Sequence, residues 1–145
     1  ETDCDDITNA HFQFIPEPVY AFLAMSLGID PASPLCNIAS TVSVKALRNL
    51  DFDGLMAFGP QGEAGATVSS RPSLPGPIYF NEQTLPDPTL TQTTNDGGVL
   101  FINVPVGTYR LSAHHPLHHF AKMTVTCAPG RFINPSPPWG LWEKR

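Results

Sequence analysis

Apolar and polar residues take turns, strand-fashion, over much of residues 36–127. Ile38, Val42, Val44 and Ala46 alternate with Ser43 and Lys45, which predicts a half-buried strand over Ile38–Leu47. Leu50–Gly59 reads as a second strand, broken at Asp53-Gly54. Ala66–Ser69 and Ile78–Phe80 read as short extended pieces around the proline-rich loop Ser70–Pro77. Leu85-Pro86-Asp87-Pro88 cannot be a central strand, because proline lacks the ladder donor. Asn95-Asp96-Gly97-Gly98 is a strong turn signal. Three closely spaced strands follow, at Val99–Val104, Thr108–His115 and Phe120–Cys127. The expected fold is mainly β, an antiparallel sandwich of the seven-strand type seen in immunoglobulin-like domains.

The N-terminal residues break this pattern. After an acidic arm with a short strand at His11–Phe14, Pro16 and Pro18 set up a helix start. Val19–Leu27 is apolar all round, which predicts one short helix buried against something larger or offered to a partner, with Gly28 as its C-terminal cap. Residues 1–35 therefore read as an arm and helix, 36–127 as the sandwich, and 128–145 as an irregular tail rich in proline and tryptophan.

Composition narrows the class. Only 14% of the 145 residues are charged, against about 25% in ordinary domains, and proline, at 16 residues, is about twice as frequent as usual. That suits strands joined by rigid loops outside the cell better than a helical bundle. The net charge is −5 and no basic run exists, so a nucleic-acid surface is not expected. The longest apolar stretch, Val19–Leu27, falls short of the about 20 residues that span a bilayer. The chain opens acidic, so any targeting segment is expected to have been removed already.

Cys4, Cys36 and Cys127 allow one disulfide and one leftover thiol, or three free thiols in a reducing compartment. Together with the prolines they favour a secreted or periplasmic chain, whether free or at the cell surface.

Residues 95–113, NDGGVLFINVPVGTYRLSA, resemble the signature of carboxypeptidase regulatory-like domains, which are transthyretin-like sandwiches. Gly97, Val99 and Phe101 lead into an Asn103-Val104-Pro105-x-Gly107-x-Tyr109 corner, and Leu111 and Ala113 continue the next strand. Gly65-Ala66-Thr67-Val68 is similar to an upstream strand of that family. The resemblance implies the sandwich fold and an accessory role beside other domains. Leu100 and Ile102 depart from it, apolar where the family is polar, so that face needs cover from the helix or from the tail with Trp139 and Trp142. The family topology runs first and last strands parallel, which would separate Cys36 from Cys127 and implies a Cys4–Cys36 disulfide.

No nucleophile, phosphate-loop or His-Glu-x-x-His motif is present, so no catalytic residue is assigned. Hydrolases of the transthyretin fold end on Tyr-Arg-Gly-Ser, whereas Tyr109-Arg110-Leu111-Ser112 here is internal and lacks the glycine. His114-His115-Pro116-Leu117-His118-His119 carries four of the five histidines. If Leu111 opposes Met123 and Ala113 opposes Ala121, both apolar faces agree, and His115 then faces His119 across a three-residue loop. Such a pair, helped by His118, would offer imidazoles to Zn²⁺ or Cu²⁺; the alternative is a polar tip facing water. Trp139 and Trp142 could stack on sugars or a protein partner, or pack back on the sheet. The leading expectation is a non-catalytic extracytoplasmic binding or accessory module. A metal-binding protein or metalloenzyme built on the histidine hairpin, and a structural domain of a surface assembly, are the alternatives.

Overall fold

A computed structural model describes residues 17–30, 33–59, 61–135 and 140–144. The chain divides into two compact units, Glu1–Pro31 and Ala32–Arg145. In the first, helix α1 spans Glu17–Leu27. The Ile29 N–H donates to Ala24 O and Gly28 takes φ +68°, the left-handed cap expected of this glycine. The helix is not buried all round: Phe22 and Met25 are exposed. The expected strand at His11–Phe14 lies outside the described residues.

The second unit is a two-sheet β structure. Strands β1 (Cys36–Ser43), β2 (Thr67–Arg71), β3 (Ile78–Phe80), β4 (Pro86–Asp87), β5 (Gly98–Val104), β6 (Gly107–His114) and β7 (Met123–Cys127) are followed by β8 (Phe132–Ile133) and β9 (Leu141–Trp142). One sheet has the order β4-β3-β5-β1-β8, with β9 also on β1; the other is β2-β6-β7. β8 pairs with the beginning of β1 and β9 with its end, both parallel to it. Phe132–Ile133 and Leu141–Trp142, expected to be irregular, thus add to the larger sheet. Leu100 is nonetheless buried and Ile102 half-buried.

Between the sheets, Ile38, Val42, Val99, Phe101 and Val104 meet Val68, Tyr109, Leu111 and Val125. The expected register of the last hairpin holds here, with Leu111 opposite Met123 and Tyr109 opposite Val125. Arg110 and Lys122 stay exposed, as alternation requires.

Leu50–Gly59 is not a strand. A 3-10 helix, Lys45–Asn49, follows β1, and helix α2 takes Phe52–Ala57. Asp51 Oδ1 accepts the Gly54 N–H at 2.8 Å, so Asp51 caps a helix where apolar alternation suggested extension. Among the described residues no helix is long and apolar enough to cross a membrane.

The disulfide joins Cys36 to Cys127, with Cα atoms 5.7 Å apart, and not Cys4 to Cys36. The reason is strand direction. β1 runs antiparallel to β5 and β6 antiparallel to β7, so Cys36 lies opposite Val104 and Cys127 opposite Gly107. Only Pro105 and Val106 separate those two partners in sequence, so both cysteines stand at one end of the sandwich, beside the corner where the chain passes between sheets.

Candidate metal centre

The opposite end of β1 carries the chemistry. Beyond Ser43 the chain meets the turn 61–65, which is anchored by its backbone: Glu63 N–H donates to Val42 O, Gly62 N–H to Asn95 O and Gly65 N–H to Thr93 O. The Thr93 hydroxyl donates to Glu63 O at 2.6 Å. Gly62 and Gly97 are backbone-to-backbone here; a Cβ on Gly62 would fall inside the Gly97 peptide. Glu63 is therefore presented from a fixed turn.

The histidine hairpin reaches the same place. Beyond Leu111–Met123 the register slips: His114, not His115, pairs with His119. The slip comes from competition for the outgoing strand. Phe120 bridges Glu143, the Ala121 N–H donates to Trp142 O and the Lys144 N–H to His119 O, so residues 119–121 leave β6 for the β9 segment. Phe120 and Ala121 are both buried, which unbroken alternation does not allow. The loop gains a residue, and His114 and His119 are left exposed.

His115 and His118 turn inward instead. Their ring centroids are 4.9 Å apart. Together with Glu63 they form a half-buried group whose ligand atoms all lie within 4.8 Å of one another. Of the expected ligands, His115 and His118 are brought together and His119 is excluded. Glu63 enters in its place, supplied by a turn that no spacing in the sequence connects to the hairpin.

A fourth residue completes the group. His118 Nδ1 is 2.7 Å from Glu143 Oε1, and its Nε2 is 3.7 Å from Glu63 Oε1. The imidazole is held above its ordinary pKa first by the hydrogen bond to Glu143; partial desolvation opposes this, and the charges of Glu63 and Glu143 add to it. For Glu143, burial disfavours the charged carboxylate. Hydrogen bonds from His118 and from the Lys45 N–H outweigh that burial and bring its pKa below the ordinary value. His115 Nδ1 accepts the Leu117 N–H at 3.2 Å, and a Cβ on Gly65 would stand 3.3 Å from His115 Nε2, so Gly65 makes room for the ring.

Two imidazoles and a carboxylate are a common donor set for Zn²⁺. Tetrahedral bonding with about 2.0–2.1 Å bonds needs donor atoms about 3.4 Å apart, so the group must contract by up to about 1.4 Å. Contraction also costs one hydrogen bond. Ligation through Nδ1 uses the lone pair that Leu117 occupies, and ligation through Nε2 puts the proton on Nδ1. Trp142 sits half-buried in β9 opposite Ser43, and Trp139 lies outside the described residues.

Comparison with models of protein families, with curated proteins and with solved structures finds no match to this chain.

Proposed function

We propose that this chain is a non-catalytic, extracytoplasmic β-sandwich module that binds a divalent transition ion, Zn²⁺ or Cu²⁺, through Glu63, His115 and His118. The observation that carries the reading is the convergence of their three ligand atoms within 4.8 Å on backbone supports that are already fixed. The Cys36–Cys127 bond supports a location outside the reducing cytosol. Three protein donors leave a fourth position for water or for a group of a partner protein. The likeness of residues 95–113 to carboxypeptidase regulatory-like domains supports an accessory role.

Calorimetric titration of chelator-stripped protein with Zn²⁺ and with Cu²⁺ at pH 7.5 tests this. One ion per chain is expected to bind the unaltered protein. Glu63→Gln, His115→Ala and His118→Ala should each abolish or strongly weaken binding, whereas His114→Ala and His119→Ala should behave like the parent. Absence of binding by the parent at high-micromolar ion, or equal loss in the His114 and His119 variants, overturns the proposal.

A further inference from the structure

The residues that follow β9 do more than end the sheet. Leu141 and Trp142 pair parallel with Val42 and Ser43, and the Glu143 N–H donates to Ser43 O at 3.0 Å. On its other side this segment is held by residues 119–121 through the Ala121–Trp142 and Lys144–His119 backbone bonds. The Glu143 side chain is thereby delivered beside the hairpin with both oxygens engaged. Oε2 accepts the Lys45 N–H at 3.1 Å, and Oε1 contacts His118 Nδ1 at 2.7 Å.

A carboxylate on Nδ1 keeps the proton there and leaves the lone pair of neutral imidazole on Nε2. Nε2 is the nitrogen that approaches Glu63. Carboxylate, imidazole and the prospective ion site thus stand in series, as in metal centres whose outer carboxylate orients a histidine ligand.

We propose that Glu143 is a positioning residue: it fixes the tautomer and ring orientation of His118, and it couples ion occupancy to the seating of the C-terminal segment 141–144. This rests on the metal-binding reading above. Because coupling is reciprocal, an ion held by His118 tightens the grip of His118 on Glu143, and a well-seated segment raises ion affinity. The backbone reports it, since the amides of Lys45, Ala121, Glu143 and Lys144 are all donors in the contacts that seat the segment.

Two measurements test it. In the unaltered protein, saturating Zn²⁺ should slow amide hydrogen exchange at Lys45, Ala121, Glu143 and Lys144; unchanged exchange despite bound Zn²⁺ overturns the coupling. In Glu143→Gln, which keeps the shape of the side chain, Zn²⁺ affinity measured against a chromophoric chelator should fall by about 10–100-fold. The exchange protection should vanish even at saturation. Parental affinity in Glu143→Gln, alongside loss in Glu63→Gln and His118→Ala, removes Glu143 from the site while leaving the site itself intact. No Zn²⁺ binding by the unaltered protein removes both readings together.

Discussion

Asn37 holds the backbone of Asn103: its side-chain Oδ1 accepts the Asn103 N–H at 3.0 Å. Asn103 sits at φ +54°, a left-handed conformation that asparagine tolerates better than most residues. Asn37 falls where the β1–β5 register shifts, between Cys36 and Ile38. The asparagine of the Asn-Val-Pro corner is therefore there for its backbone, and the buried Asn37 is there to satisfy it. Asn103→Gly should leave stability within about 0.5 kcal/mol of the parent, while Asn103→Val should lose about 1–2 kcal/mol. Asn37→Ala, which orphans the Asn103 donor, should lose about 1–3 kcal/mol. Urea unfolding midpoints measure all three, and a neutral Asn37→Ala refutes the assignment.

Leu111 is fully buried between Ser70 and Met123 on its neighbouring strands. Leu111→Ala is expected to cost about 2–5 kcal/mol, and Arg110→Ala and Lys122→Ala less than about 0.5 kcal/mol. Thermal and chemical unfolding of the three variants check this. A Lys122 effect as large as that of Leu111 contradicts the register.

A non-reducing peptide map should link Cys36 to Cys127 and leave Cys4 in an unlinked peptide. The bond closes a loop across 91 residues of sequence and joins the two sheets. Replacing both cysteines by alanine should therefore lower stability by about 2–5 kcal/mol. A Cys4 crosslink in the map, or unchanged stability of the double variant, counts against the pairing.

The His118–Glu143 pair sets a pH window for the metal-free protein. His118 titrates above its ordinary 6.5 when folded, so its contribution is complete below 6.5 and disappears as pH rises through the folded value. Glu143 titrates below its ordinary 4.5, so its contribution is complete above 4.5 and disappears as pH falls through the folded value. In EDTA, the stability difference between the parent and His118→Gln should be greatest between those two values and shrink on either side. Melting temperatures across the acid-to-alkaline range decide it. A difference that does not vary with pH refutes the pairing.

Alternation made much of the sandwich legible. It places Tyr109, Leu111, Val125 and, with Met123 half-buried, the last hairpin's core face correctly. The same phase carried further fails at the histidines, because Phe120 finds Glu143 instead of continuing along β6, and no local pattern announces a strand that changes partners. The Cys36–Cys127 pairing was hidden for a related reason: it depends on the relative direction of β1 and β7, which is set by the antiparallel β1–β5 contact and not by the cysteines. Glu63 and Glu143 could not be read as site residues at all. One lies in a glycine-flanked turn and the other near the C-terminus, and only the closing of β1 between them brings both to the hairpin. Asp51 was legible in principle, since an aspartate three residues ahead of a glycine N–H is an ordinary helix cap, but the flanking apolar residues outweighed it.

The place of β1 also fixes the order in which the molecule can assemble. β1 is synthesised before any of its partners, β5, β8 and β9, at residues 98–104, 132–133 and 141–142. One edge of β1 must wait for β5, and the other stays bare until residues 132–142 have been made. Contacts so distant in sequence make folding slow, and an unpaired strand that waits is open to pairing with another chain. Truncation anywhere before residue 141 would leave part of that edge uncovered, so fragments that stop short of β9 should be far more prone to aggregate than a chain that includes it.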